Sequence, residues 1–338
     1  MLEIDKVVAS ICGGIPEGLA FEPLTTRFAD YSAQEMKGDA EEEIPVGDDE
    51  PYGWGEASPI SPRYPLDAQL IAIDSTSSAL GSLTDGLVGV VRASVIFKQA
   101  NKTTHSLERY GPYLVAITNQ NKDQLYRSTY RTVFGKEPDA RAPDCVKTLD
   151  RVRNFLERFV QLEIAKEHRN SIILVDGSLI GGTVADPKHV IETIIVESAA
   201  NGNSMVAMSK STGLTLQRTQ RSILSVLDDV PGPCYVGGVR NHISQNRDRY
   251  LGQIYVAKLT PMGEPFRIDI PDRSPLSHAE VFSSVAGLAG DYGYPEELKL
   301  AHMTCVLSSV EFMEQQSAAI LLHGLTIKEK LRSRLFPI

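Results

Sequence analysis

The sequence predicts an α/β fold, a mixed sheet flanked by helices, on three observations. Apolar runs of strand length recur between residues 70 and 118, an amphipathic helical stretch follows them, and a further apolar run ends on Asp176. Leu70-Ile71-Ala72-Ile73 is continuous enough to be a buried strand and runs into Asp74-Ser75-Thr76-Ser77. Residues 88–97 supply a second strand, and residues 113–118 a third after the Gly111-Pro112 turn; short connections imply an antiparallel meander. Over residues 148–166, Val152, Phe155, Leu156, Phe159 and Val160 recur at spacings of three and four, one face of a helix. Ile172-Ile173-Leu174-Val175 is a fourth strand, closed by Asp176-Gly177-Ser178.

Asp186-Pro187 opens a helix over 189–198, and residues 204–208 form a strand leading to Ser209-Lys210. Residues 253–259 and 265–270 make a hairpin around Pro261-Met262-Gly263, and helices are expected over 277–288, 295–310 and 312–335. Three meander strands, a helix and a strand ending in aspartate is the order of a ribonuclease-H-like domain. Its first and fourth strands are neighbours, so Asp74 and Asp176 are expected to converge.

Residues 1–66 have a different character. Asp39-Ala40-Glu41-Glu42-Glu43 and Gly47-Asp48-Asp49-Glu50 are acidic, and Pro51, Gly53, Pro59, Pro62 and Pro65 punctuate residues 51–65. They are expected to form a solvated, loop-rich N-terminal extension to a domain spanning 67–338. A net charge of −9 argues against indiscriminate coating of nucleic acid or anionic membrane, but leaves room for a local basic groove. The four cysteines (Cys12, Cys145, Cys234, Cys305) form no CxxC pair and are expected to be buried thiols rather than a disulfide framework or zinc site. Met1-Leu2-Glu3-Ile4-Asp5-Lys6 lacks the layout of a secretory signal, and no run approaches the ~18 apolar residues of a membrane span. A cytoplasmic protein is expected.

A lone aspartate at a strand end usually forms a turn or caps a helix. Two carboxylates brought to one sheet rim repel each other unless protons or a hard cation compensate them, which points to a divalent-metal site. A third carboxylate is expected from the intervening helix, where Glu157, Glu163 and Glu167 are candidates. Helical spacing puts Glu163 near the middle of the apolar face and Glu157 on its flank, while the early position of Glu157 favours reach over the rim. His302, on a helix begun at Pro295, is a candidate to complete the site or move a proton, and Lys210 to bind a phosphate or the attacking water. Arg127, Arg131, Arg218, Arg221, Arg240, Arg247 and Arg249 are candidate phosphate contacts.

Ile-Asp-Ser-Thr-Ser at 73–77, Val-Asp-Gly-Ser-Leu at 175–179, strand-Ser-Lys at 209–210, and Gly-Tyr-Pro…Leu…Ala-His ending at His302 together resemble the NurA nucleases, from about Leu70 to the C-terminal helices. Glu296-Glu297 departs from that family's usual second proline, and the N-terminal part carries none of the motifs. The resemblance implies manganese-dependent 5′-to-3′ exonuclease and single-strand endonuclease activity on DNA in double-strand-break end resection. It further implies a homodimer enclosing a narrow channel, docked on a hexameric HerA-type ATPase translocase. It matches the family's metal aspartates to Asp74 and Asp176, its helix glutamate by offset to Glu157, and its late histidine to His302.

Oxygen-rich ligation with one imidazole suits manganese or magnesium, with manganese favoured by the nitrogen donor, at one or two ions per site. Two ions about 3.5–4 Å apart would activate water and stabilise the leaving oxygen, with Lys210 neutralising developing charge. The alternative is a non-catalytic DNA-end adaptor for the translocase. A kinase or phosphatase is disfavoured, since no glycine-rich phosphate loop or Asp-x-Asp nucleophile pattern follows Asp74.

Overall fold

A computed structural model describes residues 4–12, 19–24, 44–47, 56–63, 68–99, 104–183, 186–290 and 292–327. The chain begins with α1 (Ile4–Ile11), β1 (Ala20–Pro23), β2 (Ile44–Val46) and β3 (Ser58–Pro59). The meander is β4 (Gln69–Leu83), β5 (Gly86–Gln99) and β6 (His105–Thr118), followed by α2 (Lys122–Phe134) and α3 (Cys145–Glu167). Next come β7 (Ser171–Asp176), α4 (Lys188–Ala200), β8 (Ser204–Ser209), β9 (Leu214–Leu216) and β10 (Cys234–Val236). The chain continues through β11 (Gln253–Lys258), β12 (Pro265–Ile270), α5 (His278–Ala286), α6 (Glu296–Cys305), α7 (Ser309–His323) and β13 (Thr326–Ile327).

The principal sheet runs β6-β5-β4-β7-β8-β12-β11-β10-β3. β4, β7 and β8 are mutually parallel, and β5 is antiparallel to β4 and β6. This order, with the first strand central and beside the fourth, is the ribonuclease-H-like arrangement expected from the order of elements. β5 covers one edge of β4 along its length. On the other edge, residues 69–73 pair with β7 and residues 81–83 with β1, with β13 alongside β1. Residues 74–79 lie between these two pairings and face no strand on that edge among the described residues. The sheet is therefore notched just past Ile73, where the first apolar run of β4 ends.

Because β4 and β7 are buried on both faces, their apolar runs are continuous rather than alternating. Ile71, Ile73, Ile173 and Val175 pack with Val152, Phe155, Leu156 and Val160 of α3. Leu70, Ala72, Ile172 and Leu174 pack on the opposite face with Val281 and Phe282 of α5 and Leu298 and Ala301 of α6.

Segments of residues 1–66 enter this framework. Val7 and Ile11 of α1 join the α3-side core, Ile60 joins the α5–α6 core, and Phe21 of β1 is fully buried. The acidic stretches at 39–43 and 48–50 lie outside the described residues, as do Pro51, Gly53 and Pro65.

Several elements differ from expectation. The third strand begins at His105 rather than residue 113, because its first half is exposed and shows no apolar alternation. Helix α2 was not expected; its buried Leu125, Tyr126, Tyr130 and Val133 sit among Lys, Asp, Gln and Arg, which masks the period. The helix expected over 295–310 stops at Cys305, because Ser308 starts α7 by a reciprocal capping box with Glu311. α7 then ends at Gly324 in the left-handed conformation rather than reaching 335, and residues 328–338 lie outside the described residues. Of the thiols expected to be buried, Cys234 and Cys305 are, Cys145 is half-buried and Cys12 is exposed.

Candidate metal centre

Strand alternation decides which side chains meet. On β4, Leu70, Ala72 and Asp74 take the α5–α6 face, and Ile71, Ile73 and Ser75 take the α3 face. On β7, Ile172, Leu174 and Asp176 take the same face as Asp74. The last parallel rung pairs Ile73 with Val175, so the two aspartates follow it side by side at the notch. Gly177, with φ of +109°, turns the chain away directly after Asp176, a conformation that a side chain would strain.

Helix α6 supplies the next groups. His302 Nδ1 donates to Asp74 Oδ2 at 2.7 Å, and Cys305 Sγ, one turn later on the same side, lies 3.8 Å from that oxygen. Lys210 Nζ, just beyond β8, donates to Asp176 Oδ2 at 2.8 Å and lies 4.9 Å from the centre of the Tyr294 ring. Asp74 is 7% exposed while the His302 side chain is 46% exposed, so the cluster has a buried floor and an open side.

The electrostatics carry the imprint of the carboxylates. The hydrogen bond to Asp74 raises the pKa of His302 above its ordinary value, with burial opposing it and Asp176 assisting. Burial, with the charges of Asp74 and Glu157, pushes the Cys305 thiol upward. Burial, Asp176 and Asp74 do the same to the Tyr294 phenol.

Glu157 is positioned differently. It lies on α3, on the other face, where Ser75 Oγ donates to Oε2, Arg153 Nη1 donates to Oε2 at 3.2 Å, and Gln161 Nε2 donates to Oε1 at 3.0 Å. Its pKa is raised, first by burial, then by Asp74, against the lowering effect of Arg158 and Arg153. The charge of Asp74 is therefore felt at Glu157 from the opposite face of the sheet. Glu163, expected near the middle of the apolar face, is instead half-buried and paired with Lys166 at 2.9 Å. The buried stripe of α3 drifts toward Glu157, Gln161, Ile164 and Ala165 in its second half, where α4 packs beside it, and leaves Glu163 outside. Glu167, the third candidate, is exposed.

The donor chemistry fits a divalent cation. Two carboxylates lie on one face of adjacent strands, Asp176 bonded to a lysine and Asp74 to an imidazole, while the third, Glu157, lies on the opposite face. Asp74, His302 and Cys305 each offer a ligand atom, all within 4.8 Å of one another, and neither Asp176 nor Glu157 joins that set.

A profile of the NurA domain matches residues 68–307, which contain every group of this cluster. The chain belongs to the NurA family. Among solved structures, the NurA nuclease from Sulfolobus solfataricus matches with a TM-score of 0.52 and 15% identity, over 78% of this chain and 86% of that one. A structure of NurA with manganese matches with a TM-score of 0.44 and 9% identity, over 78% and 91% of the two chains. Comparison with curated proteins finds no match. The structural likeness is one of fold, the mixed sheet flanked by helices that NurA proteins share.

The arginines of this NurA chain are spread over three stretches. Arg127 and Arg131 lie on α2, lining a shallow concavity with Asp123, Gln124 and Ser128, and Arg131 is paired with Glu137. Arg218 and Arg221 lie in and just after the turn that follows β9, and Arg221 is paired with Asp228 at 2.7 Å. Arg240 is paired with Asp272 at 3.1 Å, Arg247 donates to Asn241 at 2.5 Å, and Arg249 donates to the Gly181 carbonyl at 3.4 Å.

Sequence reasoning missed Ser75, Arg153, Tyr294 and Cys305 as parts of the site. Cys305 had a legible signal, its three-residue spacing from His302 on a helix. Arg153 similarly precedes Glu157 by one turn.

Proposed function

We propose that this chain is a metal-dependent DNA nuclease that hydrolyses phosphodiester bonds at the notch between β4 and β7. The observation that carries this is the pair Asp74 and Asp176, side by side on adjacent parallel strands with His302 and Lys210 against them, in a chain of the NurA family.

Asp74, Asp176 and His302 would hold the cation, with Glu157 contributing from across the notch. Bound there, manganese or magnesium would acidify water and neutralise charge on the phosphoryl oxygens, with one or two ions per site. Asp74 orients the His302 ring through its hydrogen bond, leaving Nε2 available. Lys210 exchanges Asp176 for a substrate phosphate and stabilises negative charge as the bond breaks. Arg153 and Ser75 keep the Glu157 carboxylate aimed at the β4 side of the notch.

Family membership supports the finer assignment: 5′-to-3′ exonuclease and single-strand endonuclease activity in end resection, as a cytoplasmic homodimer working with a HerA-type hexameric ATPase. No described helix is long and apolar enough to cross a membrane. With most of the candidate arginines engaged by their own chain, delivery of DNA by a translocase would offset weak intrinsic affinity.

The test is cleavage of single-stranded and resected DNA by purified protein in manganese or magnesium, with and without a hexameric translocase. Asp74→Asn and Asp176→Asn should each lower manganese-supported cleavage by at least about 100-fold. Undiminished cleavage by both variants refutes the site. A DNA-end adaptor of the same fold would show neither cleavage nor manganese-dependent thermal stabilisation.

A further inference from the structure

The helical repeat that carries His302 to Asp74 also carries Cys305 there. A thiol in the last turn of a helix ordinarily satisfies itself on the carbonyl one turn back, as Cys305 does on His302 O at 3.2 Å. Here the sulfur, fully buried, also faces a carboxylate oxygen, and the sulfur, imidazole and carboxylate ligand atoms all lie within 4.8 Å of one another.

Manganese and magnesium draw little from a thiolate, because hard cations prefer oxygen. Zinc and cobalt gain most from it. One Cys sulfur, one His nitrogen and one carboxylate oxygen with an open fourth position is a donor set of the kind found in zinc centres with three protein ligands.

We infer that Asp74, His302 and Cys305 form a binding site for a thiophilic divalent cation of the zinc type, overlapping the site of the harder activating cation. It shares Asp74 and His302 with the proposed nuclease centre and so rests on that reading. On binding, the cation takes the place of two protons, that on the Cys305 sulfur and that on the His302 nitrogen facing Asp74. Both leave to solvent, the sulfur becomes a thiolate ligand, and the ring binds as a neutral imidazole with its remaining proton on the other nitrogen. The half-exposed His302 provides the way in. Occupancy by zinc would exclude the harder cation and arrest cleavage, so trace zinc acts as an inhibitor.

The decisive experiment titrates cobalt(II), and then zinc, into the metal-free full-length protein. Cobalt should produce thiolate-to-metal charge-transfer absorption in the near ultraviolet, which zinc then displaces. Cys305→Ser should lose that absorption and bind zinc at least about 100-fold more weakly, since even partners outside the ligand shell are worth up to that much. Cys12→Ser and Cys145→Ser should keep it. Because Cys305 is buried, its variants need a folding control by circular dichroism, and Cys305→Ala serves as a second variant. X-ray absorption on the zinc-loaded native protein needs no variant and should show one sulfur at about 2.3 Å.

A sulfur-free zinc shell, or charge-transfer absorption that survives in Cys305→Ser, overturns the inference. If the shell is sulfur-free while manganese still supports cleavage, only this site falls. If sulfur is bound but manganese neither stabilises the protein nor supports cleavage, this site stands and the nuclease reading falls.

Discussion

Arg92 and Arg267 show how differently two buried cations are accommodated. Arg92, 3% exposed on β5, reaches Glu311 on α7 at 2.8 Å. The hydrogen bond from Arg92 lowers the Glu311 carboxyl from its ordinary 4.5 to about 2. Its stabilising contribution is therefore complete above pH 4.5 and lost as pH falls toward 2. Glu311→Gln keeps the capping geometry but removes the charge. It should destabilise the protein by about 1 kcal/mol at neutral pH in chemical denaturation, and the difference from native should shrink on acidification through that window. Arg267 instead forms a two-pronged pair with Asp269 at 2.8 Å on both sides, both residues nearly inaccessible. Asp269 Oδ2 also accepts Leu179 N at 3.0 Å, tying down the loop that leaves Asp176. Asp269→Ala should cost about 3–5 kcal/mol in equilibrium unfolding, because it strips a buried guanidinium of its carboxylate. The Arg92 pair was not legible in the sequence, since its partner is remote and depends on how α7 docks, whereas Arg267 and Asp269 are two positions apart on an expected strand.

Among the elements, the β4–β5 hairpin has the tightest turn requirement. Leu83 pairs with Gly86 across a two-residue loop, and a Cβ on Gly86 would collide with the carbonyl oxygen of Ile117 on β6. Gly86→Ala should lower stability by about 1–3 kcal/mol in thermal or denaturant melts, since the obstructing atom is backbone and cannot rotate away. The same strands show where periodicity was informative. β4 and β7 are continuous apolar runs because both faces are covered, and each run ends where the sheet meets the notch. The exposed half of β6 and the polar-rich α2 were not readable, because burial there is partial and the apolar signal is correspondingly thin. The division of residues 295–323 into α6 and α7 was readable in principle from the Ser308…Glu311 pair, whose spacing marks a fresh helix start.

For the whole molecule, the described N-terminal segments are stitched to the sheet rather than set apart from it. α1 contributes Val7 and Ile11 to the α3-side core, and β1 pairs with the far end of β4. Ile11→Ala should cost about 2–5 kcal/mol. Melting should remain one transition, checked by calorimetry against circular dichroism; a separate early transition would mean that α1 is not part of the cooperative unit. The composition of residues 1–66 hid this, because four short apolar stretches are separated by acidic and proline-rich ones.

The order of elements and the two strand-end aspartates could be read from residues alone, because covering both sheet faces leaves an apolar run that a carboxylate can only follow. His302, Lys210 and Glu157 could be named as candidates, but which aspartate each one meets, and from which face, could not. His302 and Cys305 reach Asp74 because α6 returns across one face, while Glu157 is held by Ser75 on the other. Such contacts depend on the side to which each side chain points and on how helices dock across a twisted sheet. These are properties of packing over distances that no local pattern records.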